Sequence, residues 1–130
     1  MGIFRMAGMS EKPITWMGDS RKRLRELPKD VCRDVGIALH WAQQGRVHST
    51  AKPMKGSLRG VMEIVSDFDG DTFRVMYTTR IGDELYVLHA FQKKSKRGAA
   101  TPQHEVDLIE NRLKAAKQLH AQRSGKRNKR

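Results

Sequence analysis

Residues 61–91, VMEIVSDFDGDTFRVMYTTRIGDELYVLHAF, alternate apolar and polar side chains for much of their length. A period of two puts successive side chains on opposite faces of a strand. Near the middle, Asp69-Gly70 offers two residues that tolerate left-handed backbone, as a tight hairpin requires. The centre of the chain is thereby committed to an antiparallel meander. SLRGVMEIVSDF is its first strand, and TFRVMYTTR is the second, with Phe73, Val75 and Tyr77 set against Arg74, Met76, Thr78 and Arg80. After the turn IGDE, LYVLHAF is apolar on both faces, which predicts a central, covered strand. Asp67, Asp69 and Asp71 imitate a calcium loop, but the glycine comes too early and no glutamate follows at the required spacing. A hairpin turn accounts for them.

Helical spacing flanks the meander. DSRKRLREL opens with a capping-type Asp19 or Ser20 and places Leu24 and Leu27 on one side. Pro28 suits the first turn of a second helix, in which Val31, Val35, Ala38, Leu39 and Ala42 form a stripe that Gly45 can end. His40 and Trp41 lie in this helix and read as packing or surface. Thr101 and Pro102 open a last helix with Val106, Ile109, Leu113 and Ala116 as its buried stripe, and Glu105 near its positive end. The predicted organisation is an arm over residues 1–18, one α+β domain over 19–122, and a basic disordered tail over 123–130. The domain would hold two N-terminal helices, an antiparallel sheet of three or four strands and a C-terminal helix.

A chain of 130 residues suits a single core. No apolar run reaches the roughly 18 residues of a membrane span, and the N-terminus lacks a secretory signal. Cys32 is the sole cysteine and reads as a small apolar filler. Together these point to the cytoplasm and to no membrane partner. The net charge of +12 is concentrated in residues 46–60, 92–101 and 123–130, leaving the remainder close to neutral. Localised cations point to a polyanion such as nucleic acid.

No phosphate-binding glycine loop, paired-cysteine motif or His-Glu-x-x-His helix occurs, and the five histidines are scattered, so no metal or other cofactor is expected. What remains is a set of cations. Arg74 and Arg80 share a face of the second strand, while Lys52 and Lys55 lead into the first. Lys93, Lys94, Lys96 and Arg97 leave the third. In a meander the end of strand three lies beside the start of strand two, which puts Lys94 near Arg74. Arg74 lies between apolar neighbours and must either pair, with Glu63 on the next strand, or face an anion. Both readings stand on the residues alone.

AKPMKGSLRGVMEI, GDTFRVMYTTRIGDELYVLHAFQKKSKRG and the TP that opens the helix ending NRLKAAK resemble the phage-derived branch of the RelE/HigB toxin superfamily. The resemblance covers roughly residues 19–121. It implies the RelE-like fold and a toxin of a type II toxin–antitoxin pair, acting as a metal-independent endoribonuclease on ribosome-bound messenger RNA. It also implies neutralisation by a cognate antitoxin, often a helix-turn-helix protein. By position Arg74 matches the strand arginine that contacts the scissile phosphate, and Lys94 a cation after the following strand. Lys52, Lys55, Arg80, Lys93, Lys96 and Arg97 would hold the RNA backbone. Where the founding pattern has lysines on the first strand, this chain has Glu63, and no tyrosine follows Tyr86. His89 is then a candidate proton carrier, although its alternation with Leu85, Val87 and Phe91 favours a satisfied core histidine. His48, Lys52 and His104 are further candidates. A non-catalytic module on the same fold, either a poison of a protein target or a phage accessory protein, is the competing expectation.

Overall fold

The computed structural model describes residues 11–93 and 100–128. In chain order its elements are β1 (Ile14–Trp16), α1 (Ser20–Arg25), α2 (Lys29–Gln43), β2 (Ala51–Pro53), a single 3-10 turn (Gly56–Leu58), β3 (Met62–Phe68), β4 (Asp71–Thr78), β5 (Leu85–Lys93) and α3 (Gln103–Asn128). The expected hairpin forms, with Asp69 at φ 52° and Gly70 at φ 84°. β3 pairs antiparallel with β4 from Met62 opposite Tyr77 to Phe68 opposite Asp71. β4 in turn pairs antiparallel with β5.

The sheet is larger than the alternation announced. It has five strands in the order β1-β5-β4-β3-β2, and β1 runs parallel to β5. β1 and β2 have three residues each, too few to show a period, and they are recruited by their neighbours' free edges. β1 lies inside the stretch read as an arm. Leu85 N donates to Pro13 O and Met17 N to Val87 O, both at 2.9 Å. At the other end α3 continues to Asn128, beyond the expected start of a disordered tail at 123. There Arg123 reaches Glu84 at 3.1 Å, tying down the helix's last turns. Extending an existing helix costs little per residue, so polar composition did not end it.

Helices cover both faces. α1 and α2 bury Leu24, Val31, Val35 and Leu39 against Ile64, Phe73, Val75, Tyr77 and Val87. On the other face Ile109 and Ala116 of α3, with Leu58 and Val61, pack on Met76, Tyr86, Leu88 and Phe91. Each fully buried large apolar side chain contributes about 1.5–3 kcal/mol. β5 is buried from Leu85 through Phe91, as its two-sided apolar sequence required. A bulge opposite Met76 and Tyr77 inserts Leu88, so Leu88 and His89 both turn toward α3.

Candidate functional site

α3 covers β5 and the 3-10 turn but leaves part of its own sheet face open at the outer strands. Arg74 and Glu63 lie there. Arg74 stands opposite Val65 on β3 and Phe91 on β5, and Glu63 stands opposite Lys52 on β2. They meet diagonally across β3 and β4, Nη1 of Arg74 donating to Oε2 of Glu63 at 2.5 Å. The arginine side chain is 17% exposed and the glutamate 9%. Arg74 Nε is buried without a hydrogen-bond partner. Of the two readings open on the sequence, the pairing is therefore present, and the pair still touches solvent.

Lys93 is the last residue of β5, opposite Thr72. Burial, and then the Arg74 charge, push its ammonium below the ordinary lysine value, with Glu63 opposing. Lys93 thus feels the charges of both members of the pair, one residue before the Lys94 that the meander geometry placed near Arg74. Lys52 is exposed on β2 opposite Glu63, and Lys55 is exposed just beyond β2. Lys94, Lys96 and Arg97 lie outside the described residues.

Beside Lys93, where β5 outruns β1, a cleft of about 390 Å³ opens between α1 and the start of α3. Leu27, Ala90, Phe91 and Pro102 give it an apolar floor, and Arg23, Glu26, His104 and Glu105 rim it.

His89 does not join these groups at the surface. It is 0% exposed, its Nε2 lies 2.9 Å from Glu105 Oε1, and its ring stacks on Phe91 at 5.0 Å. Arg112 Nη1 approaches His89 Nδ1 at 3.5 Å while donating to Leu88 O at 2.9 Å. A donor at Nδ1 assigns the proton to Nε2, facing Glu105. Burial lowers the His89 pKa, only partly opposed by Glu105. The neutral ring is a core connector, and the proton-carrier reading of the sequence is corrected by its sealed position. The same network continues from Arg112 Nη2 to Asp19 Oδ1 at 2.6 Å. Gly18, at φ +53°, leaves room for that guanidinium, since a Cβ there would lie 2.6 Å from it.

Arg80 also departs from expectation. It follows the far end of β4, about 20 Å along the strand from Arg74 at 3.3 Å per residue, and does not converge on it. Its neighbours are Arg46 and Arg59, which line a separate cleft with it. Sequence reasoning missed this grouping. The acid-free run of residues 46–60 was visible, but only β2 pairing, too short to announce itself, folds it toward Arg80.

A family model described as phage-derived protein Gp49-like matches residues 22–114. The chain belongs to this Gp49-like family, a RelE-like toxin family. The match runs from α1 through the meander into α3, and so contains Arg74, Glu63 and Lys93. No curated protein matches the chain. Among solved structures, the RelBE2 toxin–antitoxin complex from Mycobacterium tuberculosis is similar at 16% identity and a TM-score of 0.44, over 64% of this chain and 99% of that one. On this Gp49-like chain the open pair offers a guanidinium, a carboxylate and a lysine with a depressed pKa. Those are the types needed to bind a phosphate and to move protons around it. Among the described residues no helix is long and apolar enough to cross a membrane.

Proposed function

We propose that this chain is the toxin of a type II toxin–antitoxin pair, a ribosome-dependent endoribonuclease that cuts messenger RNA in the cytoplasm and is neutralised by a cognate antitoxin, a helix-turn-helix protein. The observation that carries the reading is the partly open Arg74–Glu63 pair with Lys93 coupled to it. In the proposed reaction the substrate phosphate replaces Glu63 as partner of Arg74. The freed carboxylate accepts the proton of the ribose 2′-hydroxyl, whose oxygen attacks the adjacent phosphorus. The P–O5′ bond breaks, Lys93 gives the leaving oxygen its proton, and the products end in a 2′,3′-cyclic phosphate and a 5′-hydroxyl. Arg74 stabilises the negative charge that builds on the phosphoryl oxygens. A lysine of lowered pKa releases its proton more readily than an ordinary one. Lys52 and Lys55 at the β2 edge would hold the backbone, as would Lys94, Lys96 and Arg97, which follow β5 in the sequence. The neighbouring cleft, apolar below and charged at its rim, suits a nucleobase.

Expression should arrest growth, and primer extension should map new cuts inside translated messages. Growth arrest with messages intact would sink the ribonuclease reading. The engagement of Arg74 by Glu63 favours one competitor, a non-catalytic module that binds a protein target. Association with RNA or ribosomes should weaken steeply with salt, whereas tight, salt-tolerant binding to a single protein would favour the module. Co-expression with the product of an adjacent reading frame should restore growth under the toxin reading.

A further inference from the structure

Three arginines meet at the end of the sheet far from Lys93. Arg46 follows α2, Arg59 follows the 3-10 turn and Arg80 follows β4, and all three line a cleft of about 290 Å³. No acidic residue lines it. Among the described residues none of the three makes an ion pair, which is unusual for clustered guanidiniums. All three are exposed, so water screens their mutual repulsion in part, and an anion in the cleft would relieve the rest.

The site is also partly preorganised. Arg46 lies over the Trp41 ring, 4.1 Å from its centroid, and Trp41 meets His48 edge-on at 4.8 Å. A guanidinium held over an indole face is partly ordered before binding and loses less entropy when it meets an anion. Arg80 is positioned by its backbone N–H, which donates to Thr78 Oγ1 at 3.2 Å. That hydroxyl in turn donates to Gly60 O at 2.7 Å. The floor is apolar, with Val47, Met54, Val61, Met62 and Tyr77, and Val47 is 60% exposed.

We propose that the Arg46–Arg59–Arg80 cleft is a second anion site that grips phosphates of the same RNA strand, several nucleotides away from the Arg74 pair. This rests on the ribonuclease reading above and deepens it. A polynucleotide is favoured over an acidic peptide because the cleft does not stand alone. Lys52 and Lys55, both exposed, lie on the chain between Arg46 and Arg59 with no acid in that run, and Lys52 stands opposite Glu63. The cations therefore form a strip from the Arg74 pair around the β2 edge to the cleft, and a regularly charged chain satisfies such a strip along its whole length.

The test measures fluorescence anisotropy of the full chain with single-stranded RNAs of about 4 and about 16 nucleotides, lengths that bracket one short site and an extended track. Each phosphate contact contributes about 0.7 to the log–log salt slope. The triple variant Arg46→Gln, Arg59→Gln, Arg80→Gln should lower the slope for the long RNA by about 2 and weaken its binding at least tenfold at low salt. Binding of the short RNA should barely change. Thermal unfolding checks that the variant folds. If it does not, Arg59→Gln and Arg80→Gln singly should each lower the slope by about 0.7.

Unchanged long-RNA binding by a folded variant overturns this inference and leaves the ribonuclease proposal standing. A wild-type chain that binds neither RNA, on or off ribosomes, removes both. Inorganic phosphate and polyglutamate are the control arms. Saturation of the cleft by phosphate without any slope change for RNA would identify a free-anion site. Arginine-dependent binding of polyglutamate in preference to RNA would identify an acidic protein partner. Either outcome overturns the proposal.

Discussion

Two clusters of arginine, carboxylate and nitrogen base occupy the same sheet face, and they differ mainly in cover. Under α3, His89, Glu105, Arg112 and Asp19 tie the helix to β5 and to the start of α1. At the open part of the face, Arg74, Glu63 and Lys93 use similar groups, and among the described residues no helix lies above them. The covered set joins elements: His89 is sealed at 0% exposure and Glu105 and Arg112 are each 16% exposed, so their polar groups are satisfied mainly within the fold. The Arg74–Glu63 pair is itself largely buried, at 17% and 9% exposure, so only a ligand that supplies a new negative partner to the guanidinium can displace the carboxylate without a large cost. Residue type thus decided little, and the position of α3 decided which set a helix covers.

The sharpest way to break this comparison is to alter the open pair without unfolding the chain. Arg74→Lys keeps a cation beside the buried Glu63, so stability should fall by only about 1 kcal/mol. Losing the guanidinium fork should slow cleavage about 100- to 1,000-fold. Equal losses in activity and in denaturation midpoint would instead place Arg74 with the structural set.

The covered set should respond the other way. His89→Ala opens a cavity and leaves Glu105 and Arg112 short of a partner, costing about 3 kcal/mol in urea unfolding. It should reduce activity only in proportion to the folded fraction. Because burial lowers the His89 pKa in the folded state, the unfolded chain takes up a proton that the native ring refuses as pH falls below 6.5. His89 therefore adds stability above that pH and loses it progressively below. Removing the ring should flatten this acid-side decline.

Lys93 gives a smaller, more specific effect. Lys93→Gln should slow cleavage about 10- to 100-fold. In the wild type, activity should decline on the alkaline side at a pH below the ordinary lysine value of 10.5, since burial and Arg74 favour the neutral amine. The variant should lose that limb, as a pH–rate profile will read directly.

The smallest effect belongs to Asp19. Arg112 and Arg23 hold its carboxyl at about 2, below the ordinary 3.8. A lowered carboxylate adds stability above pH 3.8 that is lost as pH falls toward 2. Its side chain is 43% exposed, so solvent screens the pair and Asp19→Asn should cost about 0.5–1 kcal/mol in thermal unfolding at neutral pH.

The meander was legible because its signals are local: alternation along β3 and β4, and Asp69-Gly70 between them. Both early helices and the start of α3 were legible for the same reason. β1 and β2 were not, because three residues carry no period and their pairing depends on free edges elsewhere. The Arg74–Glu63 contact was foreseeable from strand neighbours, and His89 could be read two ways until the bulge at Leu88 fixed its direction. The separation of Arg80 from Arg74 was readable from six residues at about 3.3 Å each, but alternation assigned them one face and the distance along the strand went unused. Its grouping with Arg46 and Arg59 depends on long-range pairing that no local pattern encodes.

The account stands or falls on whether the uncovered arginine handles a scissile phosphate. Purified chain should be mixed with ribosomes paused on a defined message, comparing wild type with Arg74→Lys and reading the chemistry of every new end. The account predicts 2′,3′-cyclic phosphate and 5′-hydroxyl ends from the wild type alone, with the variant folded, ribosome-bound and nearly inert. Intact message under the wild type, or equal cutting by the variant, would contradict it.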